Sequence, residues 1–135
     1  MAAIGGVRRV TLLVLLVWAL GESISGLDNA TKAAALKDAG TWLGEQATEP
    51  GSLLTNDRRI AYYAGRHNDR SSIEMDKRKM YFGLRKKRWP DSDWIAIRVR
   101  RDEGRYIDDF SSGLKKKPVK VFDAGVGDRV YIFKN

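Results

Sequence analysis

The sequence predicts an α/β fold: an N-terminal membrane helix, then a small mixed, partly parallel sheet with flanking helices, closed by a C-terminal β-hairpin. Three observations predict it. Residues 10–20, VTLLVLLVWAL, form an uncharged apolar run near the N-terminus. From residue 28 onward helix-period and strand-period stretches alternate, which favours helices packed on a sheet. The last two strand patterns flank Gly125-Val126-Gly127-Asp128, a turn-rich spacer of hairpin type.

Taking the elements in order, Asp28 or Asn29 is placed to cap a helix reaching about residue 47, with Leu36, Ala39, Leu43 and Ala47 on one face and Trp42 beside them. Pro50-Gly51 stops it. Residues 52–55 read as a short strand. Asn56 or Asp57 then caps a helix through Tyr62 and Tyr63, with Gly65 as its left-handed terminator. Residues 66–93 are polar, and 73–84 within them read as a helix or a lid-like loop. WIAIRVR (94–100) alternates as a strand, with Ile95, Ile97 and Val99 on one face. Residues 103–112 read as a helix burying Tyr106, Ile107 and Phe110 and ending at Gly113. Residues 118–122 and 129–133 are the hairpin strands.

Composition narrows the chemistry. A chain of 135 residues allows one small domain. The content of 43% apolar and 31% charged residues is that of a folded chain rather than a disordered one. Without cysteine there is no disulfide, thiolate metal site or cysteine nucleophile, and the single histidine, His67, lacks the neighbours of a metal site. Lys and Arg total 25 against 17 Asp and Glu, a formal net charge of +8. That excess points to phosphate-bearing partners, either lipid headgroups or nucleic acid.

The apolar run covers only about 16 Å as a helix, but residues 7–27 would reach about 31 Å, enough to span a bilayer. Arg8 and Arg9 would snorkel at one end, and Trp18 suits the interface. Residues 1–27 are therefore expected to be a membrane anchor, or a signal peptide cut near Ala19/Gly21 or Ser23/Ser25. Both readings place residues 28–135 outside the cytoplasm: as a single-pass membrane protein in the first, as a secreted or periplasmic one in the second.

Residues 38–66, DAGTWLGEQATEPGSLLTNDRRIAYYAGR, hold three consecutive signatures: Ala39-Gly40-Thr41-Trp42-Leu43, Pro50 to Asp57, and Arg59 to Arg66. In these the chain resembles the C-terminal extracytoplasmic region of bacterial polytopic membrane glycosyltransferases of the GT-C type, the dolichyl-phosphate-mannose–protein mannosyltransferase-like enzymes. The WIAIRV strand and the PVKVF…GDRVYIFK hairpin are similar more loosely; residues 67–93 are not. Such enzymes have many membrane helices and a catalytic carboxylate in an early loop, features this chain lacks. The resemblance thus implies a detached tail, a truncated gene product, or a separate small protein built from that tail. It implies an accessory role, positioning a lipid-linked sugar or an acceptor, without catalysis, cofactor or metal of its own.

Two sets of residues are expected to bind. Asn56 and Asp57 sit where a strand ends and a helix begins, the edge of an open α/β sheet at which ligands gather. Arg58 and Arg59 follow, and with Lys86, Lys87 and Arg88 they are the expected phosphate or headgroup contacts. The latter three end the run KRKMYFGLRKKR (77–88), whose seven basic residues are interleaved with aromatics. Membrane lipids, a lipid-linked phosphosugar or the membrane part of a glycosyltransferase are the expected partners. The alternative is a small basic nucleic-acid-binding module using the same run by stacking and phosphate contact. Asp91-Ser92-Asp93 matches a metal-diphosphate tripeptide, but so short a match is read first as a polar turn with Asp91 or Asp93 as a cap.

Overall fold

The computed structural model describes residues 4–46, 51–66, 72–85, 92–125 and 127–135. The elements run α1 (Ile4–Gln46), β1 (Leu53–Thr55), α2 (Arg58–Tyr63), β2 (Ser72–Glu74), α3 (Lys77–Arg85), β3 (Trp94–Val99), a 3₁₀ turn (Arg101–Glu103), α4 (Arg105–Leu114), β4 (Lys120–Asp123) and β5 (Arg129–Lys134). The strands form a five-stranded sheet in the order β2-β1-β3-β5-β4. β1 pairs parallel with β2 and β3, whereas β5 pairs antiparallel with β3 and β4. The mixed sheet with flanking helices and a closing hairpin is the architecture expected.

The alternation of side chains along each strand builds two cores. Leu53, Trp94, Ala96, Val130 and Ile132 face α1 and α2, where they meet Leu36, Ala39, Leu43 and Ile60. Leu54, Ile95, Ile97, Val99 and Phe133 face the other way, onto Met80 of α3 and Phe110 of α4. β3 is thus covered on both sides, and burying each of its larger side chains contributes about 1.5–3 kcal/mol. Trp42 packs edge-on against Trp94 with ring centroids 5.9 Å apart, as its place beside the α1 stripe implied.

α1 lies against α2 because it carries glycine where the two backbones meet. A Cβ at Gly40 would fall 2.5 Å from the Tyr63 Cβ and 2.7 Å from the Ile60 carbonyl oxygen. Gly44, one turn on, lies beside Ala64 with more room: a Cβ there would sit 3.4 Å from the Ala64 carbonyl oxygen, an ordinary contact.

Three sequence expectations are corrected. No helix begins at Asp28 or Asn29, because α1 runs unbroken from Ile4 to Gln46. Gly21 and Gly26 cost it about 1 kcal/mol each, which is too little to end a helix, and neither meets anything that would bend it. Second, the region read as a helix or lid holds a strand as well, β2. Three residues are too few for a period-2 signal, and pairing with β1 is what makes them a strand. Third, α4 does not stop at Gly113. Lys115 takes the left-handed conformation (φ 54°), and the Lys115 and Lys116 amides close the last turn onto Ser112 and Ser111.

The membrane helix expected within residues 1–27 gains no support from the described residues. Among the described residues no helix is long and apolar enough to cross a membrane. The side chains of residues 1–10, 19, 20 and 22–25 lie outside the description, and they make up much of the expected span. Those described from Leu12 to Trp18 are all exposed, 56–68% in each case.

Candidate functional site

The three parallel strands end at one edge of the sheet, and polar residues follow each end: Asn56 and Asp57 after β1, Asp76 after β2, Arg100 after β3. The chain leaves β1 through α2 on one face to reach β2. It then crosses behind β1 through α3 on the opposite face to reach β3. The connection therefore reverses between β1 and β3, and a crevice opens where the two crossovers part. It is a cavity of about 480 Å³, walled by Asn56, Asp57, Glu74, Arg78, Arg98 and Glu103 among others.

Asn56 is fixed by its neighbour strand. Its side-chain amide donates to the Arg98 carbonyl oxygen and its Oδ1 accepts from the Arg98 amide, both at 2.8 Å. Asp57 has extended geometry and caps α2 by accepting from the Arg59 amide at 3.1 Å. The Arg59 guanidinium grips the same carboxylate through Nε (2.9 Å) and Nη2 (2.6 Å). Arg98 joins it through Nη1 at 3.2 Å and reaches Asp128 through Nη2 at 2.8 Å. Burial pushes the Asp57 carboxyl up. The hydrogen bonds and charge of Arg59, with the bond from Arg98, outweigh that and hold it below the ordinary carboxylate range. It is consequently a standing acceptor of hydrogen bonds rather than a proton donor.

On the β2 side, the Asp76 carboxylate accepts from the Arg78 amide at 2.7 Å and starts α3. Glu103 accepts from the Arg100 amide at 3.1 Å. The crevice is polar throughout, with carboxylates and guanidiniums interspersed. Such a surface recognises hydroxyl-bearing or anionic groups by paired hydrogen bonds.

The expected site residues divide. Asn56 and Asp57 line the crevice, but each is also committed to holding the sheet edge together. Arg58 and Arg59 lie on α2 at the same edge, Arg58 exposed and Arg59 paired with Asp57. Lys86, Lys87 and Arg88 lie outside the described residues, as do His67 and Asp91. Within the basic run, Met80 is fully buried in the core and Phe82 is exposed. Part of the interleaved pattern is therefore the amphipathic period of α3.

Asp93 is placed at the opposite edge of the sheet. Its carboxylate accepts from the Ser52 amide (2.7 Å) and hydroxyl (3.1 Å), and its own amide donates to Ser52 Oγ at 3.0 Å. The backbone and side chain of Ser52 hold its carboxyl below the ordinary range. It is a clamp between the starts of β1 and β3, and no group of three metal-ligating side chains occurs among the described residues.

Sequence reasoning missed Arg98, Glu74, Asp76 and Glu103. Arg98 had a legible signal, being the one charged residue inside WIAIRV, a strand otherwise built for burial. The other three became neighbours only when β2 formed.

No protein-family model matches the chain, and neither a curated protein nor a solved structure matches it.

Proposed function

We propose that the chain is a membrane-tethered, extracytoplasmic accessory domain of the kind found at the C-terminus of GT-C-type membrane glycosyltransferases. In this reading it does no chemistry alone and helps position a lipid-linked phosphosugar or its acceptor at the bilayer surface. The observation that carries it is the direction of α1. A Cβ at Gly125, in the turn between β4 and β5, would lie 3.3 Å from the Thr31 methyl, so α1 passes the crevice edge of the sheet at Thr31. Gly44, further along, meets Ala64 at the far end of α2. The part of α1 before Thr31 therefore leads away from the crevice edge. Trp18 lies 13 residues before Thr31, about 20 Å along a helix.

Seven consecutive exposed side chains, Leu12 to Trp18, are costly in water and need an apolar cover. A bilayer at that end of α1 supplies it, and the same placement turns the crevice, Arg58 and Arg59 toward the headgroups. The similarity of residues 38–66 to the glycosyltransferase region supports the same reading.

The test is fractionation of cells expressing the full chain with a reporter after Asn135, beside a Leu13→Gln/Leu16→Gln/Val17→Gln variant. The wild-type reporter is expected in the membrane fraction and accessible from outside the cytoplasm, and the variant is expected to lose membrane association. Recovery of the wild-type reporter wholly in the cytosol overturns the proposal.

A further inference from the structure

A second cavity, of about 200 Å³, adjoins the crevice and shares Arg100 with it. Its ionisable wall is cationic apart from one phenol: Arg100, Arg101 and Arg129, with Tyr131, Gly104 and Gly127 completing it. Among the described residues no carboxylate lines it, in contrast to the crevice next door. We propose that this pocket binds a phosphate group.

Its parts are held by the surrounding structure and, for Arg129, by a side-chain hydrogen bond with Tyr131 across the pocket wall. Arg100 and Arg101 follow directly on β3, and the 3₁₀ turn fixes their backbone through the Glu103 contact to the Arg100 amide. Arg129 opens β5 opposite Val99 in the antiparallel register. Its Nε donates to Asp123 at 3.2 Å, which anchors the base of the guanidinium on the hairpin. Gly127 has φ +85°, and a Cβ there would fall 2.5–2.7 Å from the Cβ, Cγ and Cδ of Arg101. Only glycine lets the Arg101 stem lie across that turn. Arg129 is balanced by Asp123, but Arg100 and Arg101 add two further positive charges to the same pocket wall, and like charges repel. A phosphate offers each of them charge-assisted, fork-like hydrogen bonds. The pocket volume suits a single phosphate, and the polar crevice lies on the other side of Arg100.

This site does not depend on the membrane tether. The phosphate can belong to a soluble anion or to a lipid headgroup, and the experiment separates the two. The full chain is titrated with inorganic phosphate and with pyrophosphate by calorimetry. In parallel it is floated with phosphatidylglycerol vesicles and with phosphatidylcholine vesicles. Each measurement is repeated with Arg101→Gln, Arg129→Gln and Lys117→Gln. Lys117 is exposed beyond the other end of α4, so its change alters net charge equally without touching the pocket.

The expected result is that Arg101→Gln and Arg129→Gln each weaken binding about tenfold, as loss of a charge-assisted contact does, while Lys117→Gln changes it less than about twofold. Seen with the soluble anions, that pattern supports a site for free or esterified phosphate. Seen only with phosphatidylglycerol vesicles, it assigns the phosphate to lipid. Equal losses in all three variants mean diffuse attraction to a basic surface and overturn the proposal, as does the absence of binding in both arms. Loss of the vesicle arm with the soluble arm intact removes the tether's contribution and leaves the pocket standing.

Discussion

Asn56 closes the parallel pair β1–β3 with its side chain: Nδ2 and Oδ1 both meet the backbone of Arg98 at 2.8 Å, where a strand would have used a peptide group. The side chain thereby extends the ladder one step past the last paired residues of β1 and props open the crevice between the two strands. The asparagine amide supplies both the donor and the acceptor that this pairing uses.

Replacing Asn56 with Ala leaves the Arg98 amide and carbonyl without these partners in a half-buried position. The expected cost is about 1–3 kcal/mol, read as a fall in the urea midpoint with an unchanged slope. Asn56→Asp is expected to be no better, because an acceptor oxygen would face the Arg98 carbonyl. An Ala variant as stable as wild type would show that the pair is incidental.

Asp57 links the fold to acidity. Its folded-state pKa is lowered, so the folded chain releases this proton more readily than the unfolded one. The stability it contributes is present above the unfolded value, about 3.9, and is lost as pH falls through the lower folded value. Denaturation midpoints measured from pH 6 down to the acid limit are therefore expected to fall, with a shallower fall in Asp57→Asn. Equal slopes for the two proteins would contradict the role given to Arg59 and Arg98.

The α1–α2 contact is set by Gly40, where a Cβ has 2.5 Å to the Tyr63 Cβ and 2.7 Å to a backbone oxygen. Since a backbone atom cannot swing aside, Gly40→Val is expected to separate the helices and cost about 1–3 kcal/mol through overpacking. Thermal unfolding checks it. Gly21→Ala, in the exposed part of α1 with nothing within 4 Å, is expected to be neutral or slightly stabilising and serves as the control.

Gly127→Ala combines a positive φ with collision against the Arg101 stem. The expected loss is about 1–3 kcal/mol of stability. Phosphate binding should weaken as well, because Arg101 must move. Undiminished phosphate affinity in a folded Gly127→Ala protein would remove Arg101 from the pocket's working parts.

How far each feature could be read from the sequence follows from the range of the interaction that makes it. The α1 stripe of Leu36, Ala39 and Leu43, the alternating WIAIRV strand, the capped start of α2 at Asp57 and the closing hairpin are all set by side chains within a few residues of one another. Period, cap chemistry and glycine placement record them directly. The sequence alone also placed Asn56 and Asp57 at a strand end, and it exposed an apolar leader and a basic excess.

Tertiary structure decided the rest. β2 is a strand because β1 lies beside it, and without β2 the crossover reversal does not exist. Arg98 meets Asp57 and Asp128 from 41 and 30 residues away, and Arg101 lines one pocket with Arg129 only because β3 and β5 run antiparallel. Residue identity along the chain cannot record such contacts, since their geometry is fixed by which strands become neighbours. That choice comes from burying both faces of the sheet at once.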